Sequence, residues 1–278
     1  LSLLLASVCF VSQAVAQPLS QAPLETEEVV VEELIHHSLR IVLDPLSRQI
    51  TVEDTISLPA AMQANPLEFA LHSNLIISNN SGNLRTLSQA PDQSSGSSAI
   101  GINSTGGSVA PTNRYFLTPS ARNREQIVLV YSGEIYDLAE QNSAEYAQSF
   151  SETSGIISDQ GVYLNKASMW IPDFGDDLLS FDMEVEFADT ARNWTAVSQG
   201  DRRGESGENA WQSDEPMEEV YLIAANFTVY SQQSDDIEVL AYLRQPDPNL
   251  ATKYMDATER YLALYEPLLG DYPFSKFA

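Results

Sequence analysis

The feature that most constrains this chain is a strict two-residue period. Residues 179–187 read LSFDMEVEF, with Phe181, Met183, Val185 and Phe187 on one side and Asp182, Glu184 and Glu186 on the other. Side chains alternate between faces only in an extended strand, so this stretch presents one face to a core and one to water. The pattern recurs. Residues 36–43 and 49–58 alternate on either side of an Asp44-Pro45-Leu46-Ser47 turn, which predicts a β-hairpin. Short strands are expected near 67–71, 75–78, 83–87, 115–117, 126–131, 161–164, 194–198, 210–213, 220–230 and 238–243. Many short strands separated by turn signals predict an all-β sandwich or saddle.

The period changes only after Pro248. Tyr254, Thr258, Tyr261, Leu262, Tyr265 and Leu268 or Leu269 recur at helical spacing, and Gly270 supplies a stop. A helix over 250–269 is therefore expected, followed by an aromatic-proline turn at Tyr272-Pro273-Phe274, with a domain boundary near 231–236. Residues 88–112, rich in Ser, Gly, Asn and Pro, read as a loop. Residues 136–151 read as a short helix or an ordered excursion.

The formal charge of −25 argues against nucleic-acid binding, which needs clustered Lys and Arg. Residues 1–16 are apolar and uncharged, shorter than the ~20 residues of a bilayer span, and end in Ala14-Val15-Ala16. They are expected to be a secretory signal peptide lacking its charged start, with an uncleaved anchor as the alternative. Residues 17–34 form an acidic linker. The chain is thus expected to be exported to periplasm, cell envelope or medium, with no stable membrane span. The one cysteine, Cys9, lies in the leader, so the mature chain would have no disulfide and no thiol chemistry.

Little else suggests catalysis. His36 and His37 are neighbours on a strand and point to opposite faces, and no His-Glu-x-x-His occurs. The histidines, including His72, read as surface or edge-strand groups. Asp173, Asp176 and Asp177 lack a calcium-loop spacing and read as a solvated turn. Asp182, Glu184 and Glu186 read as a solvated face. There is no Gly-x-Ser-x-Gly, and no histidine has an evident serine partner. Asn79, Asn103, Asn193 and Asn226 begin Asn-x-Ser/Thr triplets, which matter only in a glycosylating host.

From residue 155 onward the order of segments resembles the gluzincin zinc aminopeptidases, the family of membrane alanyl aminopeptidase and leukotriene hydrolase. The resemblance rests on Trp170-Ile171-Pro172-Asp173 with its following acids and strand, on Ala196-Val197-Ser198-Gln199-Gly200, on Pro216-Met217 with Tyr221-Leu222 and Ala224, and on Tyr265-Glu266 with Tyr272-Pro273 and Lys276. Upstream, the hairpin over 37–58 is similar to the family's opening strands.

The resemblance implies a mainly β chain: a β-saddle N-terminal domain over 35–232, then from 233 the first strand and helix of a thermolysin-like α/β catalytic domain. It implies a parent that removes N-terminal residues from peptides with zinc-activated water. The zinc motif would lie past residue 278, so this fragment is expected to hold no metal and be inactive alone. Its partners would be the peptide substrate and the missing catalytic domain. A saddle Gln or Glu that holds the substrate's free amine is implied before the proline-containing turn. Gln160 is the nearest such residue, and Tyr163 falls closer by spacing. The alternative is a non-catalytic exported β-sandwich that binds a partner.

Overall fold

The computed structural model describes residues 34–63, 66–87, 109–119, 125–138, 153–175, 178–204 and 208–278. The expected leader, acidic linker and Cys9, most of the 88–112 loop, most of 136–151, and Asp176 with Asp177 lie outside the described residues.

The expected hairpin forms as β1 (Ile35–Asp44) and β2 (Gln49–Ser57), paired in register from His36–Ser57 to Asp44–Gln49. Its turn holds Arg48 at φ 60°, and the Asp44 carboxylate accepts the Ser47 N–H at 3.4 Å. After it come β3 (Leu67–His72), β4 (Ile76–Asn80), β5 (Gly82–Leu87), β6 (Thr112–Pro119), β7 (Gln126–Glu134) and the short β8 (Tyr136–Asp137). A second hairpin is β9 (Gly155–Ser158) with β10 (Gly161–Leu164). Then follow β11 (Leu179–Phe187), β12 (Thr195–Val197), β13 (Asp201–Arg203), β14 (Ala210–Met217) and β15 (Leu222–Ala225). The last elements are β16 (Thr228–Ser234), β17 (Ile237–Leu243), the helix α1 (Pro248–Leu269) and β18 (Lys276–Phe277).

The chain is mainly β. One seven-stranded sheet runs β13-β14-β11-β1-β2-β7-β4, and a five-stranded sheet runs β12-β15-β10-β9-β8. Two three-stranded sheets complete the described residues, β3-β6-β5 and β16-β17-β18. β1 lies parallel to β11 and antiparallel to β2. The two-residue period is fulfilled: Phe181, Met183 and Val185 are buried on β11, and Leu39, Ile41 and Leu43 are buried on β1. These side chains join Phe69 and Leu71 of β3, Leu164 of β10, Trp170 and Trp211 in one core shared by the seven-stranded sheet, the five-stranded sheet and β3-β6-β5. Trp170 is fixed in it by its indole N–H, which donates to the Val220 carbonyl at 3.1 Å.

A second, smaller core forms where α1 meets β17. It contains Ile237, Val239, Ala241, Ala251 and Met255, with Leu262 and Tyr272 partly buried against it. The helix begins at Asp247, whose carboxylate accepts the Leu250 N–H, with Pro248 in the first turn, and ends before Gly270 at φ 94°. Its phase differs from the aromatic stripe. The docked residues are Ala251 and Met255, while Tyr254, Tyr261, Tyr265, Leu268 and Leu269 are exposed. Small Ala251 lets the helix approach the sheet closely, which a tyrosine at that place would prevent.

The expected 232/233 boundary falls inside β16, which pairs with β17 along its length from Thr228–Leu243 to Ser234–Ile237. The change of sheet falls between Ala225 and Thr228.

The histidines are a correction. His37 and His72 are 1% and 0% exposed, so they are core groups and not surface ones; His37 lies on the internal strand β1, and His72 ends β3, an edge strand of its sheet. His37 Nδ1 stands 2.9 Å from Asp54 Oδ2. His72 accepts the Asn74 N–H at Nδ1, which leaves Nε2–H to face Asp137 Oδ2 at 3.3 Å. Long-range pairing with acids makes their burial tolerable.

Candidate functional site

A groove of about 940 Å3 lies between one face of the five-stranded sheet and the α1–β17–β18 unit. Val197 and Ile223, which face each other across β12 and β15, form its floor. Tyr254 and Tyr261 of α1 and Phe274 of the following turn form the opposite wall. An apolar cleft with few polar groups is the kind of surface that binds ligands.

Its rim is tied in place at 198–200. Gln199 Oε1 accepts the Tyr221 N–H at 2.8 Å, and Gln199 Nε2 donates to the Glu219 carbonyl at 3.1 Å. Ser198 Oγ donates to the Tyr221 carbonyl at 2.6 Å. Gly200 sits at φ +68°, and a Cβ there would stand 1.9 Å from the Gln212 carbonyl oxygen. Only glycine fits this bend. The bend offers the Gly200 carbonyl to the Lys276 amine, while Ser275 Oγ donates to Asp201. Two segments far apart in sequence are thereby joined.

Lys276 carries the chemistry of this corner. Its Nζ lies 4.8 Å from the centre of the Trp211 ring, and Arg202 Cζ lies 5.4 Å from the same ring. Arg202 also donates to the Tyr242 hydroxyl at 3.1 Å. Burial lowers the Lys276 amine to about 8; Asp201 and Glu238 oppose that shift, and Arg202 adds to it. Burial, the largest influence, raises Tyr242, with Arg202 working against it.

The expected substrate residues share the β9–β10 hairpin. Gln160 is exposed in its turn, and its backbone carbonyl accepts from Arg244. Tyr163 is half-buried in mid-strand, paired with Ile223 and Ile156, and its hydroxyl accepts from Asn165 Nδ2 at 3.3 Å. Tyr163 therefore shares a sheet face with Ile223 of the groove floor. The groove lining includes neither Gln160 nor Tyr163. Sequence reasoning passed over Asp201 and Arg202 and took Lys276 only as part of the resemblance around Tyr272-Pro273. The available signal was the rarity of lysine, since the chain has three.

A second polar cluster corrects the expectation that no histidine has a serine partner. His36 Nδ1 stands 2.8 Å from Ser180 Oγ, and Nε2 stands 2.9 Å from Asp182 Oδ1. Ser38 Oγ donates to the same carboxylate oxygen at 2.8 Å. Asp182 is thus a cross-strand anchor, not a free solvated acid. Ser180 is 7% exposed, which keeps a substrate from reaching its hydroxyl.

The zinc that the resemblance implies finds no fitting donor set here. Among the described residues no three His, Cys, Asp or Glu side chains converge as a metal site. His36, His37 and His72 are instead each engaged by a different carboxylate.

No protein-family profile matches the chain, and no curated protein matches it. Solved structures do. The fold is similar to an aminopeptidase N family protein from Idiomarina loihiensis, with TM-score 0.51 and 13% identity over 87% of this chain and 38% of that one. It is similar to an M1 zinc metallopeptidase from Deinococcus radiodurans, a variant bound to a Tyr-Ser-Ala substrate, with TM-score 0.53 and 12% identity over 88% and 55%. Yeast LTA4 hydrolase is similar with TM-score 0.54 and 11% identity over 88% and 36%. These structures are of the family that the sequence segments resemble. At such identities the likeness is one of fold, and the chain spans between 36% and 55% of the lengths of these three.

Proposed function

We propose that this chain is the N-terminal, non-catalytic portion of an exported zinc metallopeptidase that removes N-terminal residues from peptides. The observation that carries the reading is the fold likeness over 88% of the chain to a zinc metallopeptidase of which it spans 55%. The bare end of α1 supports it, because Tyr265, Leu268 and Leu269 are exposed outside the groove lining, and exposed aromatic and leucine side chains favour burial against a partner. On this reading the partner is the rest of the catalytic domain, which carries the zinc donors, and residues 1–16 direct export. Gln160 and Tyr163 are the saddle groups offered to the free amine of a peptide, which needs a fixed oxygen acceptor.

Purified chain 1–278 tests the division of labour. Zinc content by atomic absorption and hydrolysis of aminoacyl anilides are both expected to be at background. Stoichiometric zinc, or turnover by the chain alone, would overturn the proposal.

A further inference from the structure

Lys276 is one of three lysines in the chain; the other two, Lys166 and Lys253, are exposed. It stands on the wall of the groove, among Met217, Ile223, Phe227, Tyr254 and Phe274. Its amine is held at two points, by the Gly200 carbonyl and the face of Trp211. Neither restraint consumes the nitrogen lone pair of a neutral amine, since the first uses an N–H and the second is strong only for the cation.

We propose that Lys276 is a covalent capture site for carbonyl electrophiles, in which an aldehyde or ketone with an apolar or aromatic tail seats in the groove and condenses with the amine. The amine lone pair attacks the carbonyl carbon and gives a carbinolamine. Transfer of a proton to its hydroxyl and loss of water then form the imine. The groove contributes on both sides of this equilibrium. Its apolar walls hold the tail, and they keep bulk water away from the C=N bond. Desolvated lysines in apolar pockets are the usual imine-forming amines.

The charged groups around the amine are Asp201 and Arg202 on β13 and Glu238 on β17. Asp201 and Glu238 favour the ammonium form, and Arg202 and burial disfavour it, leaving the amine titrating at about 8. An ordinary lysine near ~10.4 is under about 1% uncharged at pH 8. The proposal stands on the groove's geometry and does not depend on the peptidase reading.

The test uses the intact chain with benzaldehyde at pH 8, reduction by sodium borohydride to fix any imine as a secondary amine, and peptide mass spectrometry. Lys276 is expected to be modified at least about tenfold faster than Lys166 or Lys253. The α-amine, which titrates at ~7.7–8.0 when unperturbed, is the internal control for amine basicity alone. Benzaldehyde is expected to outpace acetaldehyde at Lys276 and not at the α-amine, and Phe274→Ala is expected to remove that preference. Labelling of Lys276 at or below the rate of Lys253 would overturn the proposal. So would an equal benzaldehyde preference at Lys276 and the α-amine, or one that survives Phe274→Ala.

Discussion

Asp54 is 0% exposed and its nearest polar partner is His37, itself 1% exposed, at 2.9 Å. Burial above all, and then the charge of Asp54, raise the Tyr131 hydroxyl well above its ordinary range. Such a group depends on its partner. Asp54→Ala, which orphans His37 in the core, is expected to cost about 3 kcal/mol by urea unfolding. Changing His37 and Asp54 together to Leu is expected to cost less than that single change; a larger loss would mean the pair is net stabilising.

Lys276 gives a pH signature at the same scale. Its folded value of about 8 lies below the ordinary value near ~10.4. Between these limits the unfolded chain holds a proton that the folded chain has released, so stability from this residue rises with pH. Tyr242 and Tyr272, both raised by burial, work the other way above about pH 10. Lys276→Met is expected to remove the rise in urea midpoint between about pH 8 and 10. An unchanged slope would contradict the assignment. None of this was legible beforehand, because Asp54, Asp137, Asp201 and Gly200 meet their partners only through tertiary pairing.

The longer strands were legible as elements because β1, β2, β7 and most of β11 obey the period of two on a single buried face. Elements without that signal were not. β13 has three residues, too few to show a period. The helix was legible in extent and not in phase. Its conspicuous residues, Tyr254, Tyr261 and Tyr265, mark the exposed side, and the docked side is carried by Ala251 and Met255. Tyr261→Glu is therefore expected to shift the chain's stability by no more than about 0.5 kcal/mol. Asp247→Ala, which removes the cap that receives the Leu250 N–H, is expected to cost about 1 kcal/mol. Urea denaturation followed at the helix signal at 222 nm measures both. A large loss from Tyr261→Glu would mean that the aromatic face is part of this chain's own fold.

At the scale of the molecule, the fold is similar to the three solved structures, with TM-scores of 0.51 to 0.54, although identity is between 11% and 13%. Some of the segments that carried the resemblance meet at the groove: Ser198-Gln199-Gly200 forms its rim, and Met217, Tyr221, Tyr272, Phe274 and Lys276 line it, while Trp170 to Asp173 and Tyr265-Glu266 lie outside its lining. Gln160 and Tyr163 sit to one side on the same five-stranded sheet, outside the groove lining. The most direct measurement is the coding sequence that follows the codon for Ala278. A continuous frame encoding His-Glu-x-x-His and a later Glu is predicted, the donor set that places zinc and a general base on one helix. A stop codon in the genomic sequence directly after Ala278 would contradict the account and leave a saddle whose function is its own.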